Sequence, residues 1–421
     1  MIDAYINITP TAKYGGNTGI QRVVRELYNI LDNKEFYGLN FKFIVCVRHG
    51  IWMTYSDYLS YAQEIESCHK QQLIRMLKSC AKQILPKFMT NRLALLIWRL
   101  KHYMAEAKFS KSSDDVKEMF ARNSILINLD AGWVDDWRYI SSINVPMIQV
   151  VYDIIPITHP QFCTALYGKL FAEWLNAALK SSVAVISISK SALHDIKNYA
   201  EYAHFKQLLY HFFYLGSDFT NKVDGTPKDT VKTPTKKRYF IVVGSIEPRK
   251  NHITLINAFH IYRSCGGEWD LVVVGRTSGQ ASNIVDTILN SKYFGSELFW
   301  LNDVSDRGLA HLYKEASAAI IPSFAEGFGL PLIEALHYGK PVIASDMPVF
   351  REIGGDSINY FTVDSAERLA ETMTTVSSKN AATNDFTDIN TKHYLSWAES
   401  ANMFANAVSE IVESVGLKDT D

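Results

Sequence analysis

The sequence predicts an α/β chain built as two doubly wound parallel sheets facing each other across a cleft. Three observations carry this. Short apolar runs alternate with helical patterns through both halves, as parallel strands joined by crossover helices do. The chain has 421 residues, too many for one ordinary core. A polar stretch over 220–237 holds Pro227, Pro234 and five lysines with no aromatic residue, and reads as an interdomain linker.

Composition narrows the classes. Hydrophobic content of 47% and charged content of 21% are globular values. A formal net charge of −1 gives no overall field for nucleic acid, and none is expected as a partner. Five cysteines are scattered without a CxxC pair, so they read as reduced thiols rather than a disulfide framework or a zinc site. The start, Met1-Ile-Asp-Ala-Tyr5, lacks the basic and apolar regions of a secretory signal. No apolar run approaches the ~18 residues that span a bilayer. The expectation is a cytoplasmic chain, free or peripheral on the inner face of the membrane.

The first domain is expected over 1–219. Ala4 to Ile8 reads as a strand, followed by a turn with Gly15, Gly16 and Gly19. The helix after it shows Ile20, Val23, Val24 and Leu27 on one face. The glycines suit a ligand-facing loop. Arg22 or Arg25 either meets a phosphate or is simply solvated. Phe41 to Val47 is a second strand. Between Cys68 and Lys111 ten basic residues stand against one acid, Glu106, among many apolar ones. This basic helical insertion reads either as membrane-surface association or as an insertion with a solvated basic face.

The runs Ser124 to Leu129 and Pro146 to Tyr152 are apolar and read as buried parallel strands. Ligands of open α/β sheets bind beyond the carboxyl ends of the strands. Asp130, Tyr152, Asp153 and His159 are therefore candidates for an acceptor pocket. The bland alternative is that Asp153 and His159 only cap their loop. Val183 to Ser189 adds one more strand to this half.

The second domain is expected over 238–395, with a closing helix in 396–421. Tyr239 to Val243 is a strand, then comes Gly244-Ser-Ile-Glu-Pro-Arg-Lys-Asn251. Leu271 to Gly275 is the next, with Arg276 just past its end. Ser305 is an N-cap candidate for a helix over 306–316. Ala318 to Ile321 leads into Pro322-Ser-Phe-Ala-Glu-Gly-Phe-Gly-Leu-Pro-Leu-Ile-Glu334 and on to Gly339. This is a strand, a glycine-bearing turn and a helix start with Pro331 in its first turn and Gly339 at its end. Such a turn offers backbone N–H groups and a helix dipole to an anion, and Glu326 and Glu334 flank it. The sequence has no P-loop, no HExxH and no GxSxG pattern.

Taken together, Glu326 followed eight residues later by Glu334, the Pro-Arg-Lys-Asn turn upstream, Val274-Gly-Arg276, Asn302-Asp-Val304 and Pro341-Val-Ile-Ala-Ser-Asp346 resemble the nucleotide-sugar half of family 4 retaining glycosyltransferases with the GT-B fold. Enzymes that build bacterial O-antigens are the nearest likeness. It covers 239–361 closely, and the first half only in layout and in Thr18-Gly-Ile-Gln-Arg-Val-Val24.

The resemblance implies roles. Arg249 and Lys250 would neutralise the departing diphosphate. The amides of Gly327, Phe328, Gly329 and Leu330 would hold the same phosphates. Glu326 would take hydroxyls of the donor sugar, Glu334 those of the ribose, and Val304 with Arg276 would border the base. The Tyr152-Asp153 position would face the reacting sugar from the acceptor half, while Gly16, Gly19 and His159 remain substrate-site candidates from the residues alone. No metal and no cofactor are expected. The partners implied are a nucleotide-sugar, best guessed as GDP-mannose, and a lipid-linked glycan. Other donors (UDP- or dTDP-sugars), or an epimerase or phosphorylase on the same scaffold, are the alternatives. Two positions depart from the pattern: Ser245 stands where many relatives have Arg, and Tyr152 where a His often precedes the Asp.

Overall fold

The structure, a computed structural model, describes residues 2–15, 18–48, 51–63, 120, 123–134, 137–205, 208–218, 232–278, 281–382 and 394–417. The expected basic insertion over 68–111, Gly16 and residues 220–231 of the expected linker lie outside these residues.

The N-terminal sheet holds β1 (Ile2–Asn7), β2 (Lys34–Phe36), β3 (Leu39–Arg48), β4 (Ile51–Thr54), β5 (Ser124–Asn128), β6 (Met147–Val150), β7 (Ala184–Ser187) and β8 (Leu209–Phe212). Its order is β2-β3-β1-β5-β6-β7-β8, with β4 also on β3. The run from β3 to β8 is parallel, while β2 and β4 pair with β3 antiparallel. The first strand begins earlier than the sequence suggests and ends at Asn7, because Ile8 already turns into a short helix with Pro10 in its first turn.

The C-terminal sheet holds β9 (Tyr239–Val243), β10 (Asp270–Val274), β11 (Leu298–Leu301), β12 (Ala318–Ile321), β13 (Val342–Ser345) and β14 (Asn359–Phe361). All pairs are parallel, in the order β11-β10-β9-β12-β13-β14. The strand order reverses between β9 and β12, and a crevice opens at their carboxyl ends. The strands are buried on both faces, so they read as unbroken apolar runs rather than alternating ones.

Nine helices carry the argument below: α1 (Thr9–Tyr14), α2 (Gly19–Leu31), α3 (Ala165–Ser181), α4 (Lys190–Tyr202), α5 (His252–Ser264), α6 (Asp306–Glu315), α7 (Leu330–His337), α8 (Pro348–Gly354) and α9 (Trp397–Ser414). Thr18 and Gln21 form a capping box on α2, and Ser396 and Glu399 form one on α9. Ser305 caps α6 through the Gly308 N–H, where the sequence placed a cap.

Helix α9 lies on the N-terminal half. Phe404 meets Phe213 at 5.1 Å between ring centroids and Phe41 at 6.5 Å. The Ser400 hydroxyl donates to the Tyr214 carbonyl at 2.7 Å. Burying side chains of this size is worth about 1.5–3 kcal/mol each. The chain entering α9 touches the chain leaving the N-terminal half. The Ser217 N–H donates to Leu395 O at 2.9 Å, and the Trp397 N–H to Asp218 Oδ1 at 2.6 Å. A Cβ at Gly216 would lie 2.5 Å from the Trp397 nitrogen, so only glycine admits this approach.

Candidate active site

Strand order explains the first cluster. Because β9 and β12 are neighbours, the turns that follow them lie side by side. Pro248 starts a single 3-10 turn that ends on Asn251 at φ +57°, and this presents Arg249 and Lys250 to the neighbouring turn. The Phe324 N–H donates to the Arg249 carbonyl at 2.7 Å and locks the two turns together. Lys250 Nζ meets Glu326 Oε1 at 2.5 Å, and Arg249 Nη1 meets Glu326 Oε2 at 2.9 Å. The Ser323 hydroxyl donates to Oε1 at 2.7 Å. Arg249 also pairs with Glu247 at 2.9 Å and donates to the Ala325 carbonyl at 3.1 Å.

The Glu326 side chain is 8% exposed. Burial pushes its carboxyl up, but Lys250 and Arg249 outweigh burial and hold it at about 2. Burial draws the Lys250 ammonium below its ordinary value, against the pull of Glu326. Burial also works against the charge of Arg249, and Glu326, Glu247 and Asp153 together more than offset it. Ser245, which stands where relatives carry Arg, donates its hydroxyl to Glu247 at 2.8 Å.

The glycine turn comes next. Among the described residues, the amides of Gly327, Phe328, Gly329 and Leu330 have no protein acceptor. Gly329 has φ +102° and its Cβ position is filled by the Phe350 ring. Four consecutive N–H groups leading into α7 are thus left without a protein acceptor among the described residues, a run that suits phosphate oxygens.

The N-terminal half closes over this turn. A Cβ at Gly327 would lie 2.7 Å from the Tyr152 carbonyl and 3.0 Å from Asp153 Cβ. The Ser189 hydroxyl, which also caps α4, donates to the Gly327 carbonyl at 2.7 Å. Asp153 accepts from the Ile155 N–H at 3.0 Å. Burial raises its carboxyl, with Arg249 pulling the other way. Glu352 of α8 receives the Lys190 and Ser191 N–H groups of α4 at 2.7 and 2.8 Å, a carboxylate on a helix N-terminus.

Other expected positions fall differently. The Tyr152 side chain points away from the cleft and donates to the Leu129 carbonyl at 2.8 Å, as a buried phenol needs a partner. What Tyr152 offers the cleft is its backbone. Asp130 braces its turn, accepting from the Thr11 and Ala131 N–H groups at 2.5 and 2.6 Å. His159 holds Thr158 at 2.9 Å and lies parallel to Phe162, which stacks on Phe324 across the domain boundary at 5.3 Å. Arg276 is 73% exposed and paired with Asp303. Val304 packs at the edge of the core. Gly19 sits at the start of α2, within 3.5 Å of Leu330 when given a Cβ.

Glu334 is buried, with Oε1 on Arg22 and Oε2 taking the Tyr313 hydroxyl at 2.9 Å. Arg22 is therefore buried and paired with a carboxylate rather than solvated. Ser323, Glu247, Ser189 and Glu352 were not singled out by the sequence. The N-cap position of Ser189, just past a strand, is the one signal that points to any of them.

Known proteins resemble this chain in sequence and in fold. Residues 226–393 match the family "Glycosyl transferases group 1". The serotype-specific mannosyltransferase WbdA of Escherichia coli is 32% identical over 232 residues, covering 53% of this chain and 28% of WbdA. The O-antigen chain mannosyltransferase RfbU of Salmonella typhimurium is 30% identical over 220 residues, covering 51% of this chain and 56% of RfbU. The chain thus spans about a quarter of the one relative and just over half of the other. Sucrose-phosphate synthase from Thermosynechococcus elongatus aligns over 98% of this chain and 100% of its own, with a TM-score of 0.63 at 15% identity. HepE of Anabaena, in complex with UDP and glucose, aligns over 99% of both chains with a TM-score of 0.55 at 14% identity. The fold is GT-B.

Proposed function

We propose that this chain, with a group 1 glycosyl transferase domain as its C-terminal half, is a retaining glycosyltransferase of surface-polysaccharide synthesis. It moves a sugar from a nucleotide donor to a glycan acceptor. The preferred donor is GDP-mannose, its sugar matching the names of the mannosyltransferase relatives, and the preferred acceptor is a lipid-linked glycan. One observation carries the reading. Arg249, Lys250 and Glu326 converge beside the unpartnered amides of residues 327–330, with Asp153 directly opposite.

In the proposed reaction the donor diphosphate settles on those amides and draws Arg249 and Lys250 toward its oxygens. Glu326, released from the two cations, accepts hydrogen bonds from hydroxyls of the donor sugar. The bond between C1 and the phosphate oxygen breaks, and the leaving electron pair stays on the diphosphate. A diphosphate oxygen takes the proton of the acceptor hydroxyl, and the acceptor oxygen bonds C1 on the face just vacated. Configuration is retained. Charge developing on the leaving group meets fixed cations and dipoles in a crevice shielded by Gly327 and Tyr152.

Thermal shift with GDP and with UDP, followed by turnover of the matching sugar nucleotides, tests this. A rise in melting temperature with one nucleotide and acceptor-dependent release of that nucleotide are expected. No shift with either sinks the reading, and sugar interconversion without acceptor replaces it with the epimerase alternative.

A further inference from the structure

Helices α2 and α7 begin opposite each other across the cleft, at Gly19 and Leu330. One turn into each, Arg22 Nη1 donates to Glu334 Oε1. The two side chains are 11% and 4% exposed. The guanidinium also lies 5.9 Å from the centre of the Trp397 ring, on the helix that returns to the N-terminal half. Arg22 therefore touches both halves of the molecule and the segment that joins them.

A buried ion pair gains little net stability, because desolvation offsets attraction. Its value is geometric. The partners belong to different halves, so this pair exists only when the halves are closed. A carboxylate has about four acceptor positions. Arg22 takes one and Tyr313 another, and the remaining two suit the adjacent hydroxyls of a ribose. Without Arg22, the carboxylate keeps only the Tyr313 hydroxyl and loses the partner that fixes its orientation.

We propose that Arg22 is a positioning residue: it fixes Glu334 for the ribose of the donor and thereby ties nucleoside binding to domain closure. This rests on the reading of Glu334 as the ribose ligand. By linkage, closure that favours the nucleotide is itself favoured by the nucleotide. The opposite arrangement is a plug, with Arg22 competing against the ribose for Glu334, and it predicts the opposite sign.

The test uses the full chain with Arg22→Gln, Arg22→Lys, Glu334→Gln and the Arg22→Gln/Glu334→Gln double variant. Small-angle scattering reads closure without ligand, and calorimetry reads GDP and UDP affinity. Arg22→Gln is expected to open the ligand-free protein and to weaken nucleotide binding about 10-fold or more, within the usual range for coupled sites. Donor KM should rise while kcat changes less. Arg22→Lys should recover closure and part of the affinity, and the double variant should bind no worse than Glu334→Gln alone. Tighter nucleotide binding by Arg22→Gln, or unchanged closure and affinity, overturns the proposal. If the parent binds neither nucleotide yet Arg22→Gln still opens it, the link to closure stands and the ribose role of Glu334 is what fails. Should Arg22→Gln not fold, Arg22→Lys and Glu334→Gln carry the comparison.

Discussion

Lys250 and Glu326 stand 76 residues apart in the chain and meet at 2.5 Å. They meet because β9 and β12 are neighbours in the sheet, so the turns that follow them share one crevice. Both cations of this crevice are held by carboxylates. A diphosphate that binds here would exchange partners with Glu326.

Lys250→Ala removes a cation from the proposed leaving-group site and leaves Glu326 on Arg249 and Ser323. Nucleoside diphosphate binding should weaken and kcat/KM should fall about 10²–10³-fold, as when one electrostatic contact to a developing charge is lost. Calorimetry and initial-rate measurements check it. Binding as tight as in the parent would place the diphosphate elsewhere.

Glu326→Gln separates the two ends of the donor. The amide keeps the shape of the side chain but no longer neutralises Arg249 and Lys250. Turnover should drop by more than 10²-fold, while affinity for the free nucleoside diphosphate stays level or improves. A parallel loss of both would put Glu326 on the phosphates rather than on the sugar.

Gly327→Ala tests closure. Its new Cβ would meet the Tyr152 carbonyl at 2.7 Å, which is backbone and does not yield cheaply. Activity should fall strongly while each half keeps its own fold, seen as native far-UV circular dichroism with a more open envelope in scattering.

Acid should act in two windows. His252 is buried, neither ring nitrogen has a partner among the described residues, and burial followed by Lys250 lowers its pKa to about 3. The unfolded chain therefore takes up this proton first, and stability falls as pH drops from about 6.5 toward 3. Glu326 has its folded pKa depressed to about 2, so its contribution is present above about 4.5 and disappears between there and about 2. Urea melts at several pH values should show both slopes, and His252→Leu should flatten only the upper one.

Metal removal gives a further check. The proposed site meets the diphosphate with Arg249, Lys250 and backbone amides, so turnover should survive excess EDTA within a factor of about two. A loss restored by Mg²⁺ would mean that a cation shares this task.

Much of the architecture was legible. The strands of the C-terminal half are buried on both faces, so they stand out as apolar runs, and glycine turns mark their carboxyl ends. Arg249, Lys250 and Glu326 were marked by resemblance alone, and their direct contact follows from β9 and β12 being neighbours in the sheet. Arg22 was not legible in the same way. Its helix shows an ordinary apolar face through Val23, Val24 and Leu27, and no local pattern says that the neighbouring flank will meet a second domain. Tyr152 shows a second limit, within one sheet, because nothing in the sequence gives a direction for its side chain. Its backbone stands where expected, but the direction of its side chain is set by the Leu129 carbonyl across the sheet. Roles that depend on how two domains meet leave little trace in either one alone.

Ser217 and Leu395 are bonded side by side at 2.9 Å, and Trp397 packs against Gly216. Helix α9, which follows the C-terminal half in the chain, thus supplies Phe404 and Trp397 to cover the N-terminal half. The N-terminal half therefore completes its own core only after the C-terminal half has been made.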